Sequence, residues 1–212
     1  MSRTEPTRMP ELMSHDRADL DALLDSGVLA HVGFVDEDGT PAVLPTAVAR
    51  WGDLLLAHGS TGSRWMRRVA AGVPVAVSIA VVDGVVVARS AFESSLLYTS
   101  AVLFGEFHVL DGADHEAALD VLTDRVLPGR TSEVRRPTRR ELAATEVVAM
   151  PIETWSLRRS DGWPEDPEHD VAGPAWAGHL RYGPPPVTRH AAPDLRPGTP
   201  EPGSLDRVRG VR

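Results

Sequence analysis

The sequence predicts a mainly β protein with helices at its periphery, arranged as a small closed barrel. Most apolar residues fall in short runs rich in valine, alanine and leucine, and turn-forming residues separate these runs. Helical periodicity is confined to a few short segments between or beside the predicted strands. The length of 212 residues suits one compact domain.

The first part of the chain predicts one helix followed by a three-stranded meander. Leucines at helical spacing predict an amphipathic helix over residues 10–26, which Gly27 ends. Apolar runs separated by Asp-Gly and Trp-Gly-Asp turns then predict strands at 29–35, 41–48 and 54–58.

The middle of the chain predicts a helix at 65–72 and then a hairpin. Two valine-rich strands, 73–82 and 85–92, flank Asp83-Gly84, a dipeptide typical of a tight hairpin turn. A further strand is predicted at 98–110.

The last structured part predicts two helices and a late strand. Residues 114–127 have helical periodicity, and Thr138 and Glu141 have the spacing of a capping box for a short helix at 138–145. Residues 147–157 predict the last strand. We therefore expect the barrel domain to occupy residues 1–182.

Residues 183–212 differ in composition from the rest of the chain. They are rich in proline, glycine and arginine and contain few apolar side chains to bury. We expect a C-terminal tail that is either disordered or laid in an extended form on the surface of a partner.

The composition excludes several classes of function. The net charge of −8 argues against a general nucleic-acid binder, and the absence of cysteine excludes disulfides and thiolate sites. No lysine is present, so all 22 positively charged side chains are arginines and any anion site must use guanidinium groups. The N-terminal residues do not resemble a signal peptide, and Asp83-Gly84 interrupts the longest apolar run. We expect a cytoplasmic protein that does not cross a membrane.

The segment HGSTGSR, residues 58–64, carries the most chemical information. It joins a predicted strand to a predicted helix, where small residues and hydroxyl groups let backbone N–H groups approach an anion. The candidate phosphate-binding residues are Gly59, Ser60, Thr61, Ser63 and Arg64. The spacing fits neither a Walker loop nor a dinucleotide fingerprint. A purely structural turn has the same pattern, so the residues alone leave both readings open.

The order of several motifs resembles one protein family. The meander, the His-Gly-Ser strand end and the Gly-Ser-Arg helix start are followed by DGVVVARSAF (83–92), YTSAVLFGEF (98–107), LPGR (127–130) and Trp-Ala-Gly (176–178). This order is similar to that of the pyridoxamine 5′-phosphate oxidase-like FMN-binding split β-barrels, and more narrowly to the branch of nitroimidazole-resistance proteins. The resemblance covers about residues 15–182.

The resemblance implies a homodimer that binds FMN at its subunit interface. It implies that Ser60, Thr61, Ser63 and Arg64 hold the FMN phosphate, with His58 and Gly59 beside them. The backbone of Leu44, Pro45 and Thr46 would run along the isoalloxazine ring, and Ser100 would make a polar contact to the flavin. Relatives often have a lysine in this loop, where the present chain has Arg64. The sequence has no recognisable set of the basic residues that vitamin B6 oxidases use for the substrate phosphate, which argues against vitamin B6 oxidation.

Three functions remain open at this stage. The first is an FMN-dependent oxidoreductase that reduces a small, electron-poor organic substrate stacked on the flavin, with His58 as the catalytic proton donor. The second is a non-catalytic flavin-binding protein that stores or senses flavin. The third is a split barrel that binds deazaflavin or haem, with His58, His108 and His179 as unranked axial ligands.

Other polar and aromatic clusters favour structural roles. His169 and His179 do not have metal-ligand spacing, so we expect no metal site. Four arginines near the predicted helix at 138–145 are typical of a solvated face partnered by Glu133 and Glu141. Three tryptophans in the last third of the chain are expected in a flavin pocket or an interface. These arginines and tryptophans are Arg135, Arg136, Arg139, Arg140, Trp155, Trp163 and Trp176.

Overall fold

The computed structural model describes Thr4, Pro6 and residues 8–210. Within these residues, ten strands form one antiparallel sheet and five α-helices lie around it. The strands are β1 (Met13–Ser14), β2 (Leu29–Val35), β3 (Pro41–Trp51), β4 (Leu54–Ser60), β5 (Pro74–Val87), β6 (Ser95–Glu106), β7 (His108–Val109), β8 (Thr145–Pro151), β9 (Thr154–Ser160) and β10 (Gly178–Arg181). The helices are α1 (Arg17–Ser26), α2 (Arg64–Ala70), α3 (Gly112–Val126), α4 (Arg139–Ala144) and α5 (Glu168–Val171).

The sheet curls into a split barrel. Its order is β1-β9-β6-β5-β2-β3-β4-β8-β7, and β10 adds to β5 outside this path. Strands β6 and β8 are not neighbours in this order, yet a Cβ atom at Gly105 would lie 3.0 Å from the side chain of Met150. The two halves of the sheet therefore face each other across a shared core, as the sequence predicted for a mainly β barrel.

Two apolar clusters lie on opposite faces of the sheet. The inner cluster fills the barrel and takes Leu20, Leu23 and Leu24 from α1. The outer cluster packs α3 against β3, β4 and β8 through Leu56 and Leu122. Because side chains alternate along a strand, β4 sends its residues to the two clusters in turn. The same alternation directs the side chain of His58, near the end of β4, to the outer face.

Several predicted elements are confirmed, with small shifts at their ends. Strand β2 has the predicted bounds, and α3 begins two residues before its predicted start. Helix α1 begins only at Arg17, where Asp16 accepts a hydrogen bond from the N–H of Ala18, because the preceding residues form β1. The predicted capping box of α4 is present between Thr138 and Glu141.

The predicted hairpin at Asp83-Gly84 is wrong. Residues 74–87 form one continuous strand with an irregularity between Val82 and Gly84, and the turn lies instead between β5 and β6. Strand β10, which the sequence did not predict, pairs with β5 at this point. Pairing with β6 and with β10 therefore outweighs the local turn preference of the dipeptide.

The predicted strand at 147–157 is divided in two. The N–H of Ile152 donates to the carbonyl of Asp53 at 2.8 Å, which ends β8 and lets β9 pair with β6 instead. Residues 183–210 follow an extended path with one short 3₁₀ turn at Gly203–Arg207. None of the helices in the part of the chain described is long and apolar enough to cross a membrane.

Candidate functional site

The glycine-rich loop connects β4 to α2, as the sequence predicts. The hydroxyl oxygen of Ser60 accepts a hydrogen bond from the N–H of Gly62, and the carbonyl of Ser60 accepts one from the N–H of Ser63. Both the N–H and the hydroxyl of Thr61 donate to the carbonyl of Ala144 at the end of α4. These internal bonds fix the loop's shape and tie it to α4.

The guanidinium predicted to bind a phosphate already has an anionic partner. Arg64 lies on the surface, and its Nη2 is 2.9 Å from the carboxylate of Asp36 in the β2–β3 turn. Asp36 is mostly buried, with 14% of its side chain exposed. An incoming phosphate would have to replace or share this carboxylate.

The predicted ring-contacting residues divide between two faces of the sheet. Leu44 and Thr46 lie opposite the buried Val32 and Ala30, so their side chains face the inside of the barrel. Pro45 is exposed on the outer face, opposite His31. Ser100 on β6 alternates with the buried Ala101 and so lies on the outer face as well. The structure places Pro45 and Ser100 on one face, with β2 and β5 between their strands.

His58 lies on the helix-covered side of the sheet. It follows Leu56 of the outer cluster on β4 and pairs in register with Val147 of β8. The ring is half-buried, and its Nδ1 atom is buried with no hydrogen-bond partner among the described residues. A buried polar atom of this kind is one that a bound group or water would satisfy.

Burial also decides the protonation state of His58. Loss of hydration lowers the pKa of the imidazole below its ordinary value of 6.5, because the charged form is the one that burial disfavours. The ring is therefore neutral at pH 7. A neutral imidazole can accept a proton or coordinate a metal ion.

His58 lines a cavity of about 500 Å³. The size lies within the range of about 300–1,000 Å³ that is usual for small-molecule pockets. One continuous stretch of the chain, far from His58 in sequence, forms the walls: α3, the loop after it, and α4 with the start of β8. The other lining residues are Leu119, Thr123, Val134, Arg135, Pro137, Glu141, Leu142 and Thr145.

Charged residues of the cavity are held in a fixed arrangement. Arg135 donates from Nη1 and Nη2 to the two carboxylate oxygens of Glu141, at 2.8 and 2.6 Å. The same carboxylate accepts from the N–H of Thr138, so the pKa of Glu141 falls to about 2, chiefly through Arg135. The cavity thus has apolar walls and one arginine whose charge a carboxylate balances.

The cavity adjoins the glycine-rich loop. Thr145 lines the cavity and lies opposite Ser60 in the β4–β8 register. Sequence reasoning singled out His58 but missed Leu119, Val134 and Leu142. No local pattern could have identified them, because only the packing of α3 and α4 brings them to the histidine.

The two other histidines named as axial-ligand candidates lie elsewhere. His108 is exposed on β7. The Nε2 of His179 lies 2.9 Å from the carbonyl of Gly162, and its ring stacks on Trp163 with centroids 4.1 Å apart. Of the three, His58 alone combines burial with an unpartnered nitrogen in the part of the chain that the structure describes.

The remaining clusters have structural partners. Arg136 pairs with Asp120 and Glu116 of α3, whereas Glu133, expected to partner the arginine cluster, pairs with Arg130. Within the described residues no three histidine or acidic side chains are placed to hold a metal ion. Of the three tryptophans, Trp155 packs on the inner core, and Trp163 and Trp176 are exposed.

Comparison with known proteins relates the chain to a sequence family. The sequence model described as pyridoxamine 5′-phosphate oxidase matches residues 16–159. No curated protein matches the sequence.

Two solved structures are similar over nearly the whole chain. The FAD and heme binding protein from Mycobacterium smegmatis is 48% identical, with a TM-score of 0.90 over 94% of this chain and 98% of that one. The flavocytochrome Anf3 from Azotobacter vinelandii is 30% identical, with a TM-score of 0.90 over 99% of this chain and 97% of that one.

A third structure is similar in fold alone. A protein described as a 5-nitroimidazole antibiotic resistance protein, from Bacteroides thetaiotaomicron, is 16% identical, with a TM-score of 0.58 over 71% of this chain and 90% of that one.

Proposed function

Because the chain belongs to the pyridoxamine 5′-phosphate oxidase family, we propose that it is a redox protein that binds both a flavin and haem. The observation that carries the proposal is His58, a neutral, half-buried imidazole with an unpartnered nitrogen beside a largely apolar cavity. The two relatives at 48% and 30% identity are named as an FAD and heme binding protein and as a flavocytochrome.

The His58 cavity has the chemistry that haem requires. An imidazole supplies the axial ligand, apolar walls accept the macrocycle, and a guanidinium pairs with carboxylates at its edge. In this protein His58 would hold the iron, and Leu119, Val134 and Leu142 would contact the macrocycle. Arg135, which is paired with Glu141, would have to share its guanidinium with a propionate. Bound haem would supply one-electron chemistry.

The flavin is assigned to the glycine-rich loop. Ser60, Thr61, Ser63 and Arg64 lie together where a phosphate group would meet hydroxyls, backbone N–H groups and one guanidinium. The motif order implies FMN, whereas the name of the 48% identical relative favours FAD. We propose FAD, and the mass of the released flavin distinguishes the two. A deazaflavin would give a different mass and spectrum.

A second candidate function uses the same histidine without haem. In a flavin-dependent oxidoreductase that reduces a small organic substrate, His58 would exchange a proton with that substrate. The unpartnered Nδ1 of His58 at the cavity favours this reading, whereas the lowered pKa means that the neutral ring must first take up the proton that it gives to the substrate. The presence or absence of haem in the purified protein separates the two functions, and lack of turnover with any reductant would favour storage or sensing.

The outer face of β2, β3 and β5 supports a homodimer. On this face, neither β2 nor residues 41–47 of β3 carry an outward-facing charged side chain. Leu29 and Val43 are 55% and 67% exposed there, and the neighbouring Val35 is half exposed. An uncovered apolar sheet face of this kind is typical of a subunit interface. We propose that a second copy of the chain covers it.

The decisive experiment is the absorption spectrum of the purified protein. We expect flavin bands together with a haem Soret band, FAD by mass spectrometry after heat release, and haem by the pyridine haemochromogen assay. His58→Ala should abolish the Soret band and leave the flavin in place. His108→Ala serves as the matched control, because that histidine is exposed on β7.

The outcomes separate the parts of the proposal. Flavin without haem in the wild-type protein supports the second candidate function instead. A Soret band that survives in His58→Ala would overturn the assignment of the ligand. A protein that remains colourless after incubation with FAD, FMN and haemin would overturn the proposed function as a whole.

A further inference from the structure

The C-terminal segment 183–210, here called the arm, is fastened to the barrel at defined points. Ser204 is fully buried, and its N–H donates to the carboxylate of Glu133 at 2.9 Å. Within the arm, Arg189 bridges Glu201 and Asp206 at 2.6 and 2.7 Å. Gly210 packs against Pro185 so closely that a Cβ atom would collide with it. The arm thus folds back on itself and lies on the end of α3.

The arm closes one side of a second cavity, of about 460 Å³. The opposite walls come from the end of α1, from β5 and from the end of α3. Helix α3 serves both cavities, since Leu119 and Thr123 face the His58 cavity and Arg125 and Val126 face this one. The other lining residues are Asp25, Ser26, Val28, Val81, Asp83, Pro128, Pro184, Arg207, Arg209 and Gly210.

Three arginines meet in this arm cavity. Among the described residues, none of Arg125, Arg207 and Arg209 forms an ion pair, although Arg17, Arg50, Arg89 and Arg136 do so. Arg125 donates from Nη2 to the carbonyl of Gly27 at 3.0 Å, and its Nε is buried without a partner. Arg209 donates only to backbone carbonyls of the arm.

The acidic residues of the cavity balance this charge only in part. Asp25 is paired with Arg50, through Nε at 3.1 Å and Nη2 at 2.5 Å. Asp83 also lines the cavity, and its backbone carbonyl accepts from the N–H of Tyr182. Burial lowers the pKa of the Arg125 guanidinium, and the nearby charge of Asp25 offsets this shift only in part. Arg207 and Arg209 are exposed and Arg125 is partly buried, so in a chain of net charge −8 the three arginines form a local positive site that would attract an anion.

We propose that the arm cavity binds a phosphate-bearing organic anion. Three guanidinium groups supply donors with the fork geometry that suits phosphate oxygens. Val28, Val126 and Pro184 provide an apolar wall for the organic part of the ligand. The volume accommodates a compound of about the size of a mononucleotide. The arm supplies two of the three cations, so it is part of the binding site.

The phosphate has two possible sources, and the experiment distinguishes them. It belongs either to a free phosphate compound or to the phosphate groups of the flavin that we propose above. The second source rests on the proposed function, whereas the first does not.

The test is isothermal titration of the protein as purified with inorganic pyrophosphate and with adenosine 5′-monophosphate, at 150 mM salt. The variant carries Arg207→Gln and Arg209→Gln together. The matched control is Arg196→Gln, an arginine of the same arm that does not line the cavity. We expect saturable binding in the wild type and a Kd at least about tenfold higher in the double variant, with the control unchanged. Circular dichroism checks that each variant is folded.

Flavin content and haem content are measured on the same samples. If the wild type binds the probe and the double variant keeps the flavin and haem content of the wild type, the ligand of the cavity is a free phosphate compound. This conclusion holds even if the proposed function fails. If the probe does not bind but the double variant selectively loses flavin, the flavin phosphates occupy the cavity. Absence of both effects, or equal effects in the double variant and the control, would overturn the proposal.

Discussion

Arg64 Nη2 lies 2.9 Å from Oδ2 of Asp36, across the gap between the start of α2 and the β2–β3 turn. The contact joins the most exposed end of the proposed flavin loop to a mostly buried carboxylate. A phosphate group that binds this loop must therefore compete with Asp36 for the same guanidinium. The strength of flavin binding then depends on a residue far from the loop in sequence.

Asp36→Asn should strengthen flavin binding. Removing the competing charge frees Arg64. Because the Arg64 side chain is 83% exposed, solvent screens the pair and limits its contribution to about 0.2–1 kcal/mol, which corresponds to a Kd lower by at most about fivefold. Quenching of flavin fluorescence on titration with FAD measures the change. Glu37→Gln is the control, since it removes one negative charge from the same exposed turn without breaking the Arg64 pair. Equal effects of both changes would mean that net charge alone is responsible.

Stability should depend on pH through His58. Its pKa is lowered by burial from the ordinary 6.5, so between the folded and unfolded pKa values the unfolded chain binds more protons. The contribution to stability is complete above about pH 6.5 and is lost as the pH falls through the folded pKa. Urea unfolding at pH 7.5 and pH 5 should show a smaller decrease in His58→Leu than in the wild type.

The same pH interval separates His58 from the carboxylates. The pKa of Glu141 is about 2, and the pKa values of Asp38 and Glu133 are lowered from 3.8 and 4.5. The stability that these carboxylates contribute to the protein is therefore lost only at lower pH. His108→Leu serves as the control, and we expect it to keep the wild-type pH dependence. If the free energy of unfolding falls as much between pH 7.5 and pH 5 in His58→Leu as in the wild type, His58 is not the group responsible.

The strands and helices around the site were predicted from the sequence more accurately than the residues that line its cavity. Strand β2 and the capping box of α4 follow from local patterns, namely alternation and the Thr-x-x-Glu spacing, and both are confirmed. His58 stood out by its place at a strand end. The cavity beside it depends on Leu119 and Leu142, from helices that meet only in the folded chain.

The errors have the same origin. Asp83-Gly84 is a strong local signal for a turn, but β5 continues through it because β6 and β10 pair along its length. The extended or disordered arm expected from composition is not an error of this kind, but its points of attachment could not be predicted. Its anchoring through Glu133 and Arg189 depends on contacts between segments that no local pattern connects.

Helix α4 should depend on Thr138 for its position at the His58 cavity. The side chain of Thr138 accepts from the N–H of Glu141 at 3.3 Å, and Glu141 accepts from the N–H of Thr138 at 2.7 Å. Thr138→Ala removes the cap and should lower the free energy of unfolding by about 0.5–2 kcal/mol. Hydrogen exchange of residues 139–144 should accelerate, while Thr138→Ser, which keeps a hydroxyl, should remain close to wild type. Similar exchange in the two variants would argue against a role for the hydroxyl.

Val43→Glu should convert the proposed dimer to a monomer. The side chain is 67% exposed on the uncharged outer face, so a carboxylate there would be buried against a second copy without a partner. Light scattering after size exclusion should give half the wild-type mass. Val171→Glu, at a 51% exposed valine of α5, should leave the mass unchanged. A wild-type protein that is already monomeric would refute the interface.

Gly84→Ala should detach β10 from β5. A Cβ atom at this position would collide with the backbone carbonyl of Leu180, which cannot move aside as a flexible side chain can. We expect the free energy of unfolding to fall by about 1–3 kcal/mol and exchange of residues 178–182 to accelerate. Gly162→Ala is the control, because a Cβ atom there meets no neighbour within 4 Å. The arm begins directly after β10, so Gly84→Ala should also weaken pyrophosphate binding in the arm cavity. Unchanged binding would mean that the arm holds its position without β10.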